Sequence, residues 1–119
     1  MPSVVINWEE AMNQVGGDRE FLDEVIQDLL NEATAAEREI GDAIRARDYA
    51  TVMKAAHRVK GSASYLCCDE LMKVSKELQD AGHDATKPGA KDLHEPIEDL
   101  FRDYKKALDE LKREVAPRK

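Results

Sequence analysis

His57 sits in the stretch AAHRVKGSAS (residues 55–64), with Lys60 and Gly61 following within about one helical turn. An imidazole is mostly neutral at pH 7, so one ring nitrogen keeps a lone pair that can attack an electrophile such as phosphorus. Lys60 can neutralise an arriving anion. Gly61 removes a side chain one turn away and clears an approach to the ring. Nucleophile, cation and open access together suit phosphoryl transfer, which depends on positioning and charge stabilisation. The competing view is an ordinary surface histidine beside an ordinary lysine.

The surrounding pattern argues against a histidine satisfied by the core. On a helical wheel, Val52, Ala55, Ala56, Val59, Ala63 and Leu66 cluster on one side, and His57 points roughly 160° from the middle of that cluster. Lys60, Gly61 and Ser64 share its face, with Met53 and Lys54 at the edges. A glycine inside a helix costs about 1 kcal/mol relative to alanine, and that cost needs a reason.

The elements that must position this face are helices. Asn7 can cap a short first helix, with Glu10 completing a capping-box pattern; Gly16 and Gly17 end it, and Asp18 can cap the next. The second helix places Leu22, Ile26, Leu29, Ala33, Ala36, Ile40 and Ala43 on one narrow stripe. A third begins at Asp48. A fourth presents Leu71, Val74 and Leu78 and is expected to stop at Ala81-Gly82, leaving HDATKPGAK as the longest loop. The last carries Leu93, Ile97, Leu100, Tyr104, Leu108, Leu111 and Val115 on one side, with Pro96 in its first turn or kinking it. Strand patterns are missing. The expected fold is all-α, an antiparallel four-helix bundle with a short extra N-terminal helix that caps one end through Trp8 and Met12. The chain of 119 residues fits one domain, with a core over about 7–113 and a frayed tail at 114–119.

Composition narrows the function. The net charge of −7 disfavours nonspecific binding to nucleic acid or an anionic membrane, although the middle of the chain is locally basic (Arg45, Arg47, Lys54, Arg58, Lys60, Lys73, Lys76). No stretch reaches membrane-spanning length and no leader pattern is seen, so a cytoplasmic protein is expected, with nuclear entry open in a eukaryotic host. The adjacent Cys67 and Cys68 suit two small semi-buried thiols better than a disulfide framework or a zinc site. His83, Asp84 and His94 are a weak metal signal. No phosphate-binding glycine loop and no Ser–His–acid spacing support a kinase or hydrolase.

Ala56-His57-Arg58-Val59-Lys60-Gly61-Ser62-Ala63 resembles the core motif of histidine-containing phosphotransfer (HPt) domains. Gly16-Gly17-Asp18 before an apolar helix, and Leu71, Leu78 and Gln79 in the fourth helix, are similar to the family's surroundings. The resemblance implies that His57 is the phosphoacceptor through Nε2. Lys60 would balance the phosphate charge, Gly61 would give the partner room, and Gln79 would hold the imidazole. It implies a phosphocarrier, not an enzyme, with no metal or nucleotide of its own; a monomer is expected. The partners would be receiver domains of response regulators or hybrid histidine kinases, which bring the aspartate and Mg²⁺. Lys54, Arg58 and Ser64 would contact that partner. One departure is Cys67, ten residues after the histidine, where the family commonly has glycine; oxidation of the thiols would be a means of modulating transfer. A dimerisation helix pair of a sensor kinase fits less well, because Arg58 rather than an acidic residue follows the histidine. The alternative from another class is an adaptor bundle without chemistry, which has no need of a glycine beside an exposed histidine.

Overall fold

The structure is a computed structural model that describes residues 5–115. Among them are five helices and no strand: α1 Trp8–Gln14, α2 Arg19–Arg45, α3 Tyr49–Tyr65, α4 Asp69–Ala85 and α5 His94–Val115. Each of α2 to α5 packs on the next in sequence, and α5 closes the ring against α2. The result is an antiparallel bundle of 49 × 25 × 25 Å with α1 across one end. Every residue of the α2 stripe and of the α3 apolar cluster is buried, as are Leu71, Val74 and Leu78 of α4. The period of about 3.6 residues therefore placed the core correctly along three helices.

Side-chain caps start the first three helices. Asn7 accepts from Glu10 N, Asp18 from Phe21 N and Asp48 from Thr51 N. The reciprocal half of the α1 capping box is not made, because Asn7 N donates instead to the carbonyl of Cys67 at 3.0 Å. That bond and the buried Ile6 fasten the N-terminal segment to the end of α3. Tyr104 is the largest fully buried side chain, and its hydroxyl donates to the carbonyl of Ala33 at 2.6 Å, tying α5 to α2.

The helix ends share one device. After α1, α2 and α3 the chain enters the left-handed region at Gly16 (φ 68°), Arg47 (φ 56°) and Cys67 (φ 57°). In each case the next N–H bonds back to the carbonyl five residues earlier: Gly17 to Met12, Asp48 to Ala43 and Cys68 to Ala63. These are Schellman caps, and glycine is the residue that takes this conformation without penalty. Left-handed backbone costs a side-chain-bearing residue roughly 1–2 kcal/mol. Cys67→Gly should therefore raise stability by about 0.5–1 kcal/mol after the greater freedom of glycine in the unfolded chain is subtracted. Thermal melting should show a rise of roughly 2–5 °C; an unchanged or lower midpoint would mean that the cysteine side chain contributes packing that outweighs the strain.

Two expectations need correction. α4 does not stop at Gly82 but runs on to Ala85, so the connecting loop is Thr86–Leu93. Gly82 lies inside the helix because the backbone of α3 passes against it: a Cβ there would meet Met53 N and Tyr49 O at 3.0 Å. Glu114, placed in the frayed tail by the sequence reading, continues α5 together with Val115, and Glu114 accepts from Trp8 Nε1 at 3.3 Å. The rest of that tail, 116–119, lies outside the described residues. Pro96 occupies the first turn of α5, where a missing N–H leaves no gap in the helix.

Candidate functional site

α3 carries His57 and Gly61 on the face turned away from the core. Val52, Ala55, Ala56, Val59 and Ala63 bury one side of it against α2 and α4, which forces His57 outward. The imidazole is exposed, and no hydrogen bond or ion pair among the described residues engages it. Among the described residues both ring nitrogens are thus free of competitors. Gly61 follows one turn later, also exposed, and a Cβ built there would meet nothing within 4 Å. No packing requirement accounts for this glycine.

The neighbouring cations differ. Lys60 is half-buried and Lys54 exposed, and neither forms an ion pair among the described residues. Lys54 contributes a small part of the lowering of the Asp48 carboxyl, whose main causes are the side-chain and backbone hydrogen bonds with Thr51. Arg58 is committed to Glu39 of α2 at 2.5 Å, an exposed ion pair that joins α2 to α3. Ser64 is exposed on the histidine face.

Gln79 reaches the same level from α4. The close approach of Gly82 to Met53 fixes the antiparallel register of α3 and α4. Gln79 lies three residues before Gly82, and His57 four residues after Met53, so the two stand side by side across the helix pair. No hydrogen bond joins them. The Gln79 Oε1 atom is instead buried without a hydrogen-bond partner among the described residues, an acceptor in search of a donor.

The thiols are poor candidates for redox control. Burial pushes the Cys68 thiol up to about 12, with smaller contributions from Cys67 and Asp69. Cys67 is raised as well, first by burial and then by Glu10 and Asp69. Reactivity belongs to the thiolate, and both sites disfavour it. The weak metal signal is dispersed. His94 is hydrogen-bonded through Nδ1 to the Tyr49 hydroxyl at 2.8 Å, with Nε2 3.6 Å from Glu98, while His83 is exposed on α4. Among the described residues no group of three or more His, Cys, Asp or Glu side chains is placed to hold a metal ion. No helix of these residues is long and apolar enough to cross a membrane.

With the exposed histidine, the open glycine and the four-helix ring in place, comparison with known proteins is decisive. The family model of the Hpt domain matches residues 24–114, from the first turns of α2 almost to the end of α5. The chain belongs to the Hpt domain family. Hpt domains are phosphocarrier modules of two-component signalling, built for histidine phosphotransfer. The fold of this Hpt domain is similar to that of the HPT domain from an Hpt sensor hybrid histidine kinase of Shewanella. The TM-score is 0.72 over 95% of each chain, at 20% sequence identity. No curated protein sequence matches the chain.

Sequence reasoning missed two surface residues of this Hpt domain. Tyr65 and Phe21 are both 45% exposed. The available signal lay in the wheel, where Phe21 falls off the α2 stripe that begins at Leu22.

Proposed function

We propose that this chain is a phosphorelay intermediate in which His57 takes the phosphoryl group from a receiver-domain aspartyl phosphate and passes it to another receiver aspartate. The Nε2 lone pair attacks phosphorus, the P–N bond forms, and the P–O bond to the aspartate breaks, its electrons leaving on the carboxylate. The return step reverses these events on a second receiver. Lys60, half-buried and without an ion pair among the described residues, balances the developing charge, and Gly61 admits the partner. Gln79 orients the imidazole: its free buried Oε1 is an acceptor for the Nδ1 proton once the side chains turn toward each other. Lys54 and Ser64 meet the partner around the ring, and Arg58 joins them only by leaving Glu39. The receiver brings the aspartate and Mg²⁺, and this chain contributes the histidine.

The observation that carries this reading is Gly61, a helix-interior glycine kept where a side chain would point into open space. Folding gives no reason for its cost of about 1 kcal/mol, and access to His57 does. The test is incubation with a phosphorylated receiver and Mg²⁺, followed by intact mass and stability of the adduct. The expected product gains one phosphate that survives base and is lost in acid, as a phosphoramidate bond requires. Failure to take phosphate from any of several receivers, with the bundle folded, would favour an adaptor without chemistry.

A second expectation follows from the same space. Gly61→Gln should leave the melting temperature within about 3 °C, since the side chain extends into solvent. It should slow transfer from a receiver by roughly 10-fold or more, because a misplaced approach at the reacting atoms is costly. An undiminished rate would remove the access role.

A further inference from the structure

Two buried side-chain polar atoms have no hydrogen-bond partner among the described residues, Ser75 Oγ and Gln79 Oε1. They belong to consecutive turns of α4. Residues four apart on a helix share a face, with Cβ atoms about 5–6 Å apart, so the two side chains are neighbours. Their chemistry is complementary: a hydroxyl carries a proton to donate, and an amide oxygen only accepts. The Ser75 hydroxyl does not take the carbonyl one turn back on its own helix, a common outlet for a helical serine. Packing gives no reason for it either. Ser75 is wholly buried, two turns before Gly82 on the face that meets α3. An alanine there would fill nearly the same space, with better helix propensity and no polar group to bury.

We infer that Ser75 is a positioning residue for His57, acting through Gln79: its hydroxyl donates to Gln79 Oε1 and holds the amide toward the imidazole. The inference rests on His57 being the phosphoacceptor and deepens that assignment. Being wholly buried, Ser75 cannot itself meet an incoming phosphate or partner, so its action is confined to its neighbours. Gln79 is the neighbour that the Gly82 contact sets level with His57. An amide oxygen has two lone pairs. One takes the Ser75 proton and the other the His57 Nδ1 proton, which satisfies both orphan atoms once the Gln79 side chain turns about its own bonds. A free glutamine side chain loses rotamer freedom when it grips the ring. A serine that already holds the amide removes part of that cost before the partner arrives. With the proton kept on Nδ1, the lone pair stays on Nε2, the atom that attacks phosphorus. Without the Ser75 bond the amide is free to turn to water, and the ring proton divides between the two nitrogens.

The test reads the imidazole directly. Ring-nitrogen NMR shifts of the histidines, and the rate of transfer from a phosphorylated receiver with Mg²⁺, are measured on wild type, Ser75→Ala, Gln79→Ala and the double variant, beside thermal melts. Ser75→Ala should melt at or above wild type, since it loses a buried unpaired hydroxyl and gains helix propensity. It should move His57 from the Nδ1–H toward the Nε2–H tautomer and leave His83 and His94 unshifted. Transfer should slow about 10-fold, the low end of what loss of a group orienting an imidazole costs. The double variant should be no slower than Gln79→Ala alone, because Ser75 acts only through that amide. Unshifted His57 nitrogens or an undiminished rate in Ser75→Ala overturns the inference. So does a double variant slowed by the product of the two single effects, since Ser75 would then act by another route. A wild type that accepts no phosphate from any receiver overturns the phosphocarrier reading instead, and the His57 shifts still decide whether Ser75 holds the ring through Gln79.

Discussion

Replacing His57 by glutamine is expected to reduce phosphate acceptance by at least about three orders of magnitude while the bundle stays folded. Loss of a nucleophile that forms the covalent intermediate has no partial substitute, and effects of this kind exceed those of charge-balancing neighbours. Glutamine keeps a polar side chain of similar reach but offers no nitrogen lone pair to phosphorus. The fold should hardly notice. His57 is exposed and makes no hydrogen bond or ion pair among the described residues, so the change falls among surface substitutions worth within about 0.5 kcal/mol. Two other histidines serve as controls. His83→Gln should transfer normally, since it lies exposed on α4 past the Gly82 contact. His94→Gln should lower stability somewhat by losing the Tyr49 bond without affecting acceptance. Acid-labile incorporation measured on all three variants, beside thermal melts, checks the assignment. A His57→Gln protein that still accepts phosphate would place the chemistry elsewhere.

The same residues mark how far the sequence could be read. His57 and its face were legible because helix periodicity is a property of spacing, and α3 carries enough buried alanine and valine to orient itself unambiguously. The Asn7, Asp18 and Asp48 starts were legible because a side-chain oxygen three residues before a free N–H acts locally. Gly82 was misread for the opposite reason. Glycine after an apolar run signals a helix end, and nothing local reveals that another helix will press its backbone there. Arg47 and Cys67 hid two helix ends behind residues that rarely take positive φ, so the Schellman caps became visible only through their hydrogen bonds. The committed Arg58–Glu39 pair depends on which residues α2 brings opposite α3, which is a matter of packing rather than spacing.

Gly82 and Gly61 then predict opposite outcomes for one substitution. Both sit inside helices, so alanine at either gains about 1 kcal/mol of helix propensity. At Gly61 that gain stands alone: the new methyl meets nothing within 4 Å, and Gly61→Ala should raise stability by up to about 1 kcal/mol. At Gly82 the methyl would lie 3.0 Å from Met53 N and from Tyr49 O, and 3.3 Å from Met53 Cα. These are backbone atoms of α3, which cannot rotate away as a side chain can, so the two helices must separate along their most extensive contact. Overpacking of this kind costs about 1–3 kcal/mol, and rigid neighbours place it at the upper end. The net expectation for Gly82→Ala is a loss of about 2 kcal/mol, with bulkier residues unfolding the bundle. Register matters as well as stability, because the same contact holds Gln79 level with His57. Gly82→Ala should therefore also slow transfer more than its population of unfolded protein explains, whereas Gly61→Ala leaves the register intact. Denaturant titrations of the two variants give the signs directly. Equal destabilisation at both positions would show that Gly61 is a packing glycine after all, and the case for an open approach to His57 would lose its main support.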